Sequence, residues 1–342
     1  MAGGTLIVDT SFLGDVLCAE PMVRAAAKRW QGQPVDFLAS PGGAHILSGH
    51  PDLGDILVFD KRGAQRGALG LLRMARELKK RAYVRAICSH RSWRSAALLR
   101  LAGIPERVGF DNASASFLFT ERVSYQADLH EIERNLQLLG GGSWQRPRMY
   151  PDAGERERVA GLLPGRSFVA MAPGSLWETK RWPAQRFSEL AAALSAKGVD
   201  VVLLGGPEDR PLCREVHQRA KDFGAEESAL HDLCGQTNLR ESAALLEKAL
   251  ALVSNDSAPM HLGVAAGIPV MAVYCSTVPA FGFAPKGEQD RVFEISELDC
   301  RPCGIHGKRR CPEGHFRCGW DIQFEQVLQA LQPFLPQTSL PV

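Results

Sequence analysis

Short runs of consecutive β-favouring apolar residues alternate with longer amphipathic segments along most of the chain. Unbroken apolar runs suit parallel strands covered on both faces, so the alternation predicts an α/β protein built on doubly wound parallel sheets. In the first half, residues 6–8, 35–38, 56–59 and 85–89 read as strands, and 16–30, 68–81, 92–101 and 128–139 as helices. Residues 140–152, GGGSWQRPRMYPD, join three glycines to two prolines without periodicity and read as a hinge. The grammar then restarts. Strands are expected at 168–172, 201–204, 250–254 and 270–274, and helices at 184–197, 208–223 and 257–266. Within 184–197, Phe187, Leu190, Ala191 and Leu194 fall on one helical face. Two Rossmann-like domains, 1–150 and 151–342, are therefore expected to face a central cleft, with ligands beyond the carboxyl ends of their strands.

Composition narrows the class. With 342 residues, 45% apolar and 23% charged, the chain is neither disordered nor collagen-like. The longest apolar stretch, 262–273, contains glycine and proline and is shorter than the roughly 18 residues of a spanning helix, so no transmembrane segment is expected. The N-terminus enters a strand-like run at once without a legible secretory signal, which predicts a cytoplasmic protein. Five of the nine cysteines, Cys18, Cys88, Cys213, Cys234 and Cys275, lie in apolar or helical contexts and argue against a disulfide scaffold.

The net charge of +2 is unevenly placed. Residues 1–150 carry 20 Lys/Arg against 14 Asp/Glu, whereas the rest carries 20 against 24. Between Lys61 and Arg107, 13 basic residues face only Glu77 and Glu106, which is either a set of solvated helix faces or a landing surface for an anionic partner. Near-neutral total charge without interleaved aromatics weighs against a nucleic-acid partner.

Three loops at expected strand ends carry unusual residues. The first, Asp9-Thr10-Ser11-Phe12-Leu13-Gly14-Asp15, precedes a helix; Asp15 is either a first-turn acid or a general base facing the cleft. It has one glycine, so the dinucleotide fingerprint GxGxxG is absent. The second, 172–183, sets Ser175, Lys180, Arg181 and two tryptophans around a glycine, as a phosphate grip or as a packed loop. The third, 254–263, offers Asp256 or Ser257 as an N-cap, with Pro259 in the first turn. A helix opening there presents N–H groups to a pyrophosphate, Asp256 suits polyol hydroxyls, and His261 is either a core histidine or a phosphate donor.

Together TSFLGD, PGSLWETKRWP and NDSAPMHLGVAAGIPV resemble the bacterial heptosyltransferases of glycosyltransferase family 9, which build the inner core of lipopolysaccharide. The resemblance spans nearly the whole chain. It implies the GT-B architecture, an acceptor-binding N-terminal domain and an ADP-heptose-binding C-terminal domain. It further implies Asp15 as the base of an inverting transfer, and Lys180 with Ser175 on the leaving diphosphate, with no cofactor required. Asp256 would hold heptose hydroxyls, while Ser257, Ala258 and His261 would line the phosphate end, Ala258 replacing a glycine common in relatives. Glu208, in LGGPED, would bind the ADP ribose. The implied partners are ADP-heptose and a lipopolysaccharide-core acceptor (Kdo-lipid A or its heptosylated form) at the inner face of the inner membrane.

Cys300, Cys303, Cys311 and Cys318, with His306 and His315 between them, have one CxxC arm of a zinc site but an irregular second pair, so structural zinc and plain thiols both remain open. Two other functions fit the fold. One is a sugar-nucleotide epimerase, which would release free nucleotide without any acceptor, or a transferase using another donor. A non-catalytic two-domain binding protein would be indifferent to loss of Asp15.

Overall fold

The computed structural model describes residues 3–337. The chain divides into two compact units, Met1–Tyr150 and Pro151–Val342.

In the first unit the order is β1 (Thr5–Asp9), α1 (Leu13–Arg29), β2 (Val35–Ala39), α2 (Pro41–Leu47), β3 (Ile56–Val58), α3 (Gly67–Lys80), β4 (Arg85–Cys88), α4 (Trp93–Leu101), β5 (Glu106–Phe110), β6 (Glu121–Val123) and α5 (Glu131–Gln137). The sheet is parallel with strand order β3-β2-β1-β4-β5-β6. Both faces of β1 and β2 are buried, which is why their sequences are mostly apolar rather than alternating. Helices α3 and α4 cover one face through Leu71, Met74, Leu78, Leu98 and Leu99.

The second unit contains α6 (Ala153–Ala160), β7 (Phe168–Ala172), α7 (Ala184–Ser195), β8 (Asp200–Leu203), α8 (Arg210–Asp222), β9 (Leu230–Asp232), α9 (Leu239–Leu246), β10 (Leu252–Asn255), α10 (Ala258–Ala266), β11 (Val270–Tyr274), β12 (Arg291–Glu294), α11 (Arg317–Trp320) and α12 (Phe324–Leu331). Its parallel sheet runs β12-β11-β10-β7-β8-β9. The face of α7 read from its periodicity is the buried one: Phe187, Leu190, Ala191 and Leu194 all join the core.

Counted within each unit, both sheets have the strand order 3-2-1-4-5-6, the doubly wound arrangement that leaves a crevice where the order reverses. That reversal falls between β1 and β4 in the first unit, and between β7 and β10 in the second. The loops singled out in the sequence follow β1, β7 and β10, so each opens at a reversal point. Among the described residues, no helix is long and apolar enough to cross a membrane.

The expected helix over 208–223 begins later. Pro207–Asp209 form a 3-10 turn, and α8 starts at Arg210 with Pro211 in its first turn, where a missing N–H costs nothing. The expected helix over 128–139 is trimmed to α5 by a capping box between His130 and Glu133.

Candidate functional site

In the first unit, Asp15 sits in the first turn of α1, and its Oδ2 accepts the Phe12 N–H at 3.2 Å. The structural role of a first-turn acid is therefore real. Asp15 also lines a pocket of about 300 Å³ with Asp9, Ser11, Ser89, His90, Arg91, Ser92 and Glu131, drawn from the ends of β1 and β4 and the start of α5. Burial, followed by the negative charges of Asp9 and Glu131, pushes the Asp15 carboxyl from its ordinary 3.8 up to about 7. A carboxylate with that affinity exchanges protons near neutrality, as a general base requires.

The neighbours that tune Asp15 carried no motif. Asp9 is buried and accepts the Ser11 N–H at 2.9 Å and the Ser89 hydroxyl at 2.6 Å. Glu131 is held by Arg134 at 2.7 Å, and burial raises its carboxyl. Cations stand at the same end of the sheet: Lys61 Nζ donates to Thr10 Oγ1 at 3.1 Å, and Arg91 lines the pocket while stacking over Tyr125 at 4.4 Å. Burial pulls Lys61 below its ordinary value.

In the second unit, the loops after β7 and β10 are joined by Asn255, which is fully buried. Its Oδ1 accepts the Trp182 N–H at 2.8 Å, and its Nδ2 donates to the Pro173 carbonyl at 2.8 Å. Trp182 is buried against Phe187, ring centroids 5.0 Å apart, so this tryptophan packs the loop to the core. Arg181 donates to the Ser175 carbonyl at 2.8 Å, which ties the two ends of the loop together.

Lys180 and Asp256 form an ion pair at 2.6 Å, with side chains 15% and 13% exposed. Asp256 Oδ2 also accepts the Thr277 hydroxyl at 2.7 Å. Ser257, not Asp256, is the N-cap of α10, and its side chain makes no capping bond; Ala258 and Pro259 fill the first turn. Uncapped N–H groups with the positive end of the helix dipole suit an anion. His261 is buried one turn in, with its ring 6.2 Å from Phe283, and burial drives its imidazole down to about 4. It is therefore neutral near pH 7, with an N–H to donate but no positive charge.

Glu208 is exposed in the 3-10 turn, whereas Asp209 is the acid built into this corner. Asp209 Oδ2 accepts the Gly206 N–H at 3.0 Å and burial raises its carboxyl. A Cβ on Gly174 would stand 2.3 Å from the Asp209 carboxyl, so glycine is needed there for close approach.

All nine cysteines are free. Cys318 is buried among the apolar residues of the second core, and burial pushes its thiol up to about 12, so it behaves as a small hydrophobe. Cys300 Sγ is 4.0 Å from His315 Nε2. Among the described residues, the set of ligand atoms that closes to within 4.8 Å is Cys213, Asp232 and Cys234, not the 300–318 group. Cys318, in α11, is buried, while Cys300, Cys303 and Cys311 are part-exposed.

Comparison with known proteins agrees with this geometry. Residues 71–315 match the family model described as glycosyltransferase family 9 (heptosyltransferase). The chain is 26% identical to lipopolysaccharide heptosyltransferase 2 of Escherichia coli K12 over 97% of this chain and 98% of that one. It is 28% identical to lipopolysaccharide heptosyltransferase 1 of Pseudomonas aeruginosa, covering 94% and 92%. The solved structure of E. coli ADP-heptose lps heptosyltransferase II superposes with a TM-score of 0.79 at 23% identity, over 97% and 98% of the two chains. With paired doubly wound sheets of the GT-B kind, and a family match over most of its length, the chain belongs to glycosyltransferase family 9, the heptosyltransferases, and is a glycosyltransferase.

Proposed function

We propose that this glycosyltransferase inverts configuration as it moves heptose from ADP-L-glycero-D-manno-heptose to the inner core of lipopolysaccharide, on Kdo-lipid A or its heptosylated form. The observation that carries this reading is the division of chemistry between the two reversal points: a near-neutral carboxylate at one, and a lysine beside an uncapped helix N-terminus at the other. The names of the relatives support the donor and acceptor assigned here.

The first unit takes the acceptor. Asp15 removes the proton from the attacking hydroxyl, and its raised affinity lets it hold that proton as the new glycosidic bond forms. Lys61 and Arg91 at the same strand ends favour an acidic sugar or phosphorylated lipid. The wider basic stretch, Lys61 to Arg107, would place the enzyme against the anionic inner face of the inner membrane, working from the cytoplasm.

The second unit takes the donor. Lys180 moves from Asp256 to the diphosphate as negative charge builds on the departing ADP, with Ser175 and the first-turn N–H groups of Ser257 and Ala258 beside it. Asp256, released from the ion pair, accepts heptose hydroxyls. Glu208, or the better placed Asp209, meets the ribose. Those positive groups supply the field that a metal would otherwise provide, so the chemistry asks for no cofactor; a zinc ion at Cys300, Cys303, Cys311 and Cys318 would be structural.

Calorimetric titration with ADP and UDP in chelator tests the donor half. ADP binding without metal, abolished or weakened at least tenfold by Lys180→Ala, is the expected result. Preference for UDP, or unchanged ADP affinity in Lys180→Ala, would overturn the assignment.

A further inference from the structure

We propose that the Gly307–Lys308 turn of the cysteine-rich segment is a positioning element of the donor site, with Gly307 setting where the Lys180 side chain lies. The inference rests on the assignment of Lys180 to the donor diphosphate. The segment has no catalytic group of its own here, yet it is bonded to the donor loops at several points. The Lys308 N–H donates to Thr179 Oγ1 at 2.7 Å, and the Thr179 N–H returns to the Lys308 carbonyl at 3.0 Å. Thr179, 3% exposed, shares a second hydrogen bond with Ser276 Oγ at 3.0 Å, and the Cys303 N–H donates to the Ser276 carbonyl at 3.0 Å. A two-way backbone and hydroxyl clasp of this kind, buried on the loop side, fixes the residue next to it in the chain, which is Lys180.

The same segment reaches the other member of the ion pair. Arg301 donates to the Tyr274 carbonyl at 3.1 Å and to the Thr277 carbonyl at 2.6 Å, and the Thr277 hydroxyl donates to Asp256 at 2.7 Å. Thr277 is fully buried, so its hydroxyl is held to that one carboxylate.

Gly307 is where the clasp touches Lys180 most closely. Its φ is +80°, and a Cβ there would meet Lys180 Cγ at 3.0 Å, Ser276 Oγ at 3.1 Å and Thr179 Oγ1 at 3.1 Å. Two demands therefore coincide: a left-handed backbone and the absence of a side chain. Gly314, in the same segment, meets only the first, with φ +72° and nothing within 4 Å. The pair separates backbone strain from contact with Lys180.

ADP affinity of the full chain, measured by calorimetry, tests the inference. Gly307→Ala is expected to weaken ADP about tenfold, Gly314→Ala by less than about twofold, and Gly307→Ala added to Lys180→Ala to cost no further affinity. Thr179→Val should weaken ADP in the same way, with Thr179→Ser restoring it, which reads the clasp even if Gly307→Ala does not fold. Equal losses in Gly307→Ala and Gly314→Ala, additive losses in the double variant, or unchanged affinity in Thr179→Val would overturn the inference while leaving Lys180 in place. Unchanged affinity in Lys180→Ala alone would instead remove the donor-site assignment beneath it.

Discussion

Lys180 Nζ lies 2.6 Å from Asp256 Oδ2, so the cation assigned to the leaving diphosphate and the acid assigned to the sugar are ion-pair partners. Each shields the other from the cost of standing largely buried without a counter-charge. A donor that brings two phosphates offers Lys180 a stronger partner and frees Asp256 for hydroxyls.

Breaking that pair from one side should therefore cost stability as well as function. Asp256→Asn is expected to lower the unfolding free energy in urea by about 3 kcal/mol, because it strands a part-buried ammonium. Lys180→Met combined with Asp256→Leu should recover most of that loss and still bind no ADP. Wild-type stability in Asp256→Asn would contradict the buried pairing.

The Asp15 carboxyl, held up at about 7, gives turnover a pH signature. The base works deprotonated, so kcat/KM should rise with pH through about 7 and then level. For stability the sign is opposite. Between the ordinary 3.8 and about 7 the folded chain binds the proton more tightly than the unfolded one, so Asp15 costs stability as pH rises through that window. Asp15→Asn should then be more stable than wild type at pH 8, with the margin shrinking toward pH 4, as thermal unfolding at the two pH values would register.

Asn255 joins the two donor loops by hydrogen bonds that no other side chain of its shape can make from both ends. Asn255→Ala leaves the Trp182 N–H and the Pro173 carbonyl buried without that partner, at a cost of about 2 kcal/mol, and should weaken ADP in parallel. Asn255→Asp, which keeps the acceptor but turns a buried carboxylate toward the Pro173 carbonyl, should cost at least as much as Asn255→Ala.

The acceptor side should respond to salt more strongly than the donor side. Raising ionic strength is expected to increase the KM for a membrane-embedded acceptor more than that for ADP-heptose, since the stretch from Lys61 to Arg107 is dominated by exposed cations. Equal sensitivity of the two KM values would sink the basic landing surface.

Much of this was legible in the chain because parallel strands buried on both faces are mostly apolar; β7 and β11 are such runs, and β1 and β2 are too apart from Thr5, Asp9 and Asp36. Of the four edge strands only β3 was legible, at 56–59; the other three were not. β6 (ERV), β9 (LHD) and β12 (RVFE) are short and carry charged or polar positions because one side faces solvent, and β5 (ERVGF) mixes charge with glycine. Among site residues, Asp15, Lys180 and Ser257 were marked by their place in loops that precede helices. Asp9, Thr179 and Asn255 lie in the same loops, but neither their roles nor Glu131 were legible, since what they do depends on partners 73 to 129 positions away or on charges from other elements. Asp209 was hidden beside the more conspicuous Glu208, and its partial burial, its bond from the Gly206 N–H and the approach of Gly174 distinguish it.

The central claim is that Asp15 is the base of a heptosyl transfer from ADP-heptose. Its most direct test is single-turnover transfer with ADP-heptose and a Kdo-lipid acceptor, comparing wild type with Asp15→Asn at matched ADP affinity. Heptosylated product from wild type, with the rate falling about a hundredfold or more in Asp15→Asn while ADP binding is unchanged, is the predicted result. Near-normal turnover in Asp15→Asn would contradict the base assignment, and no heptosylated product from wild type would contradict the proposed reaction itself.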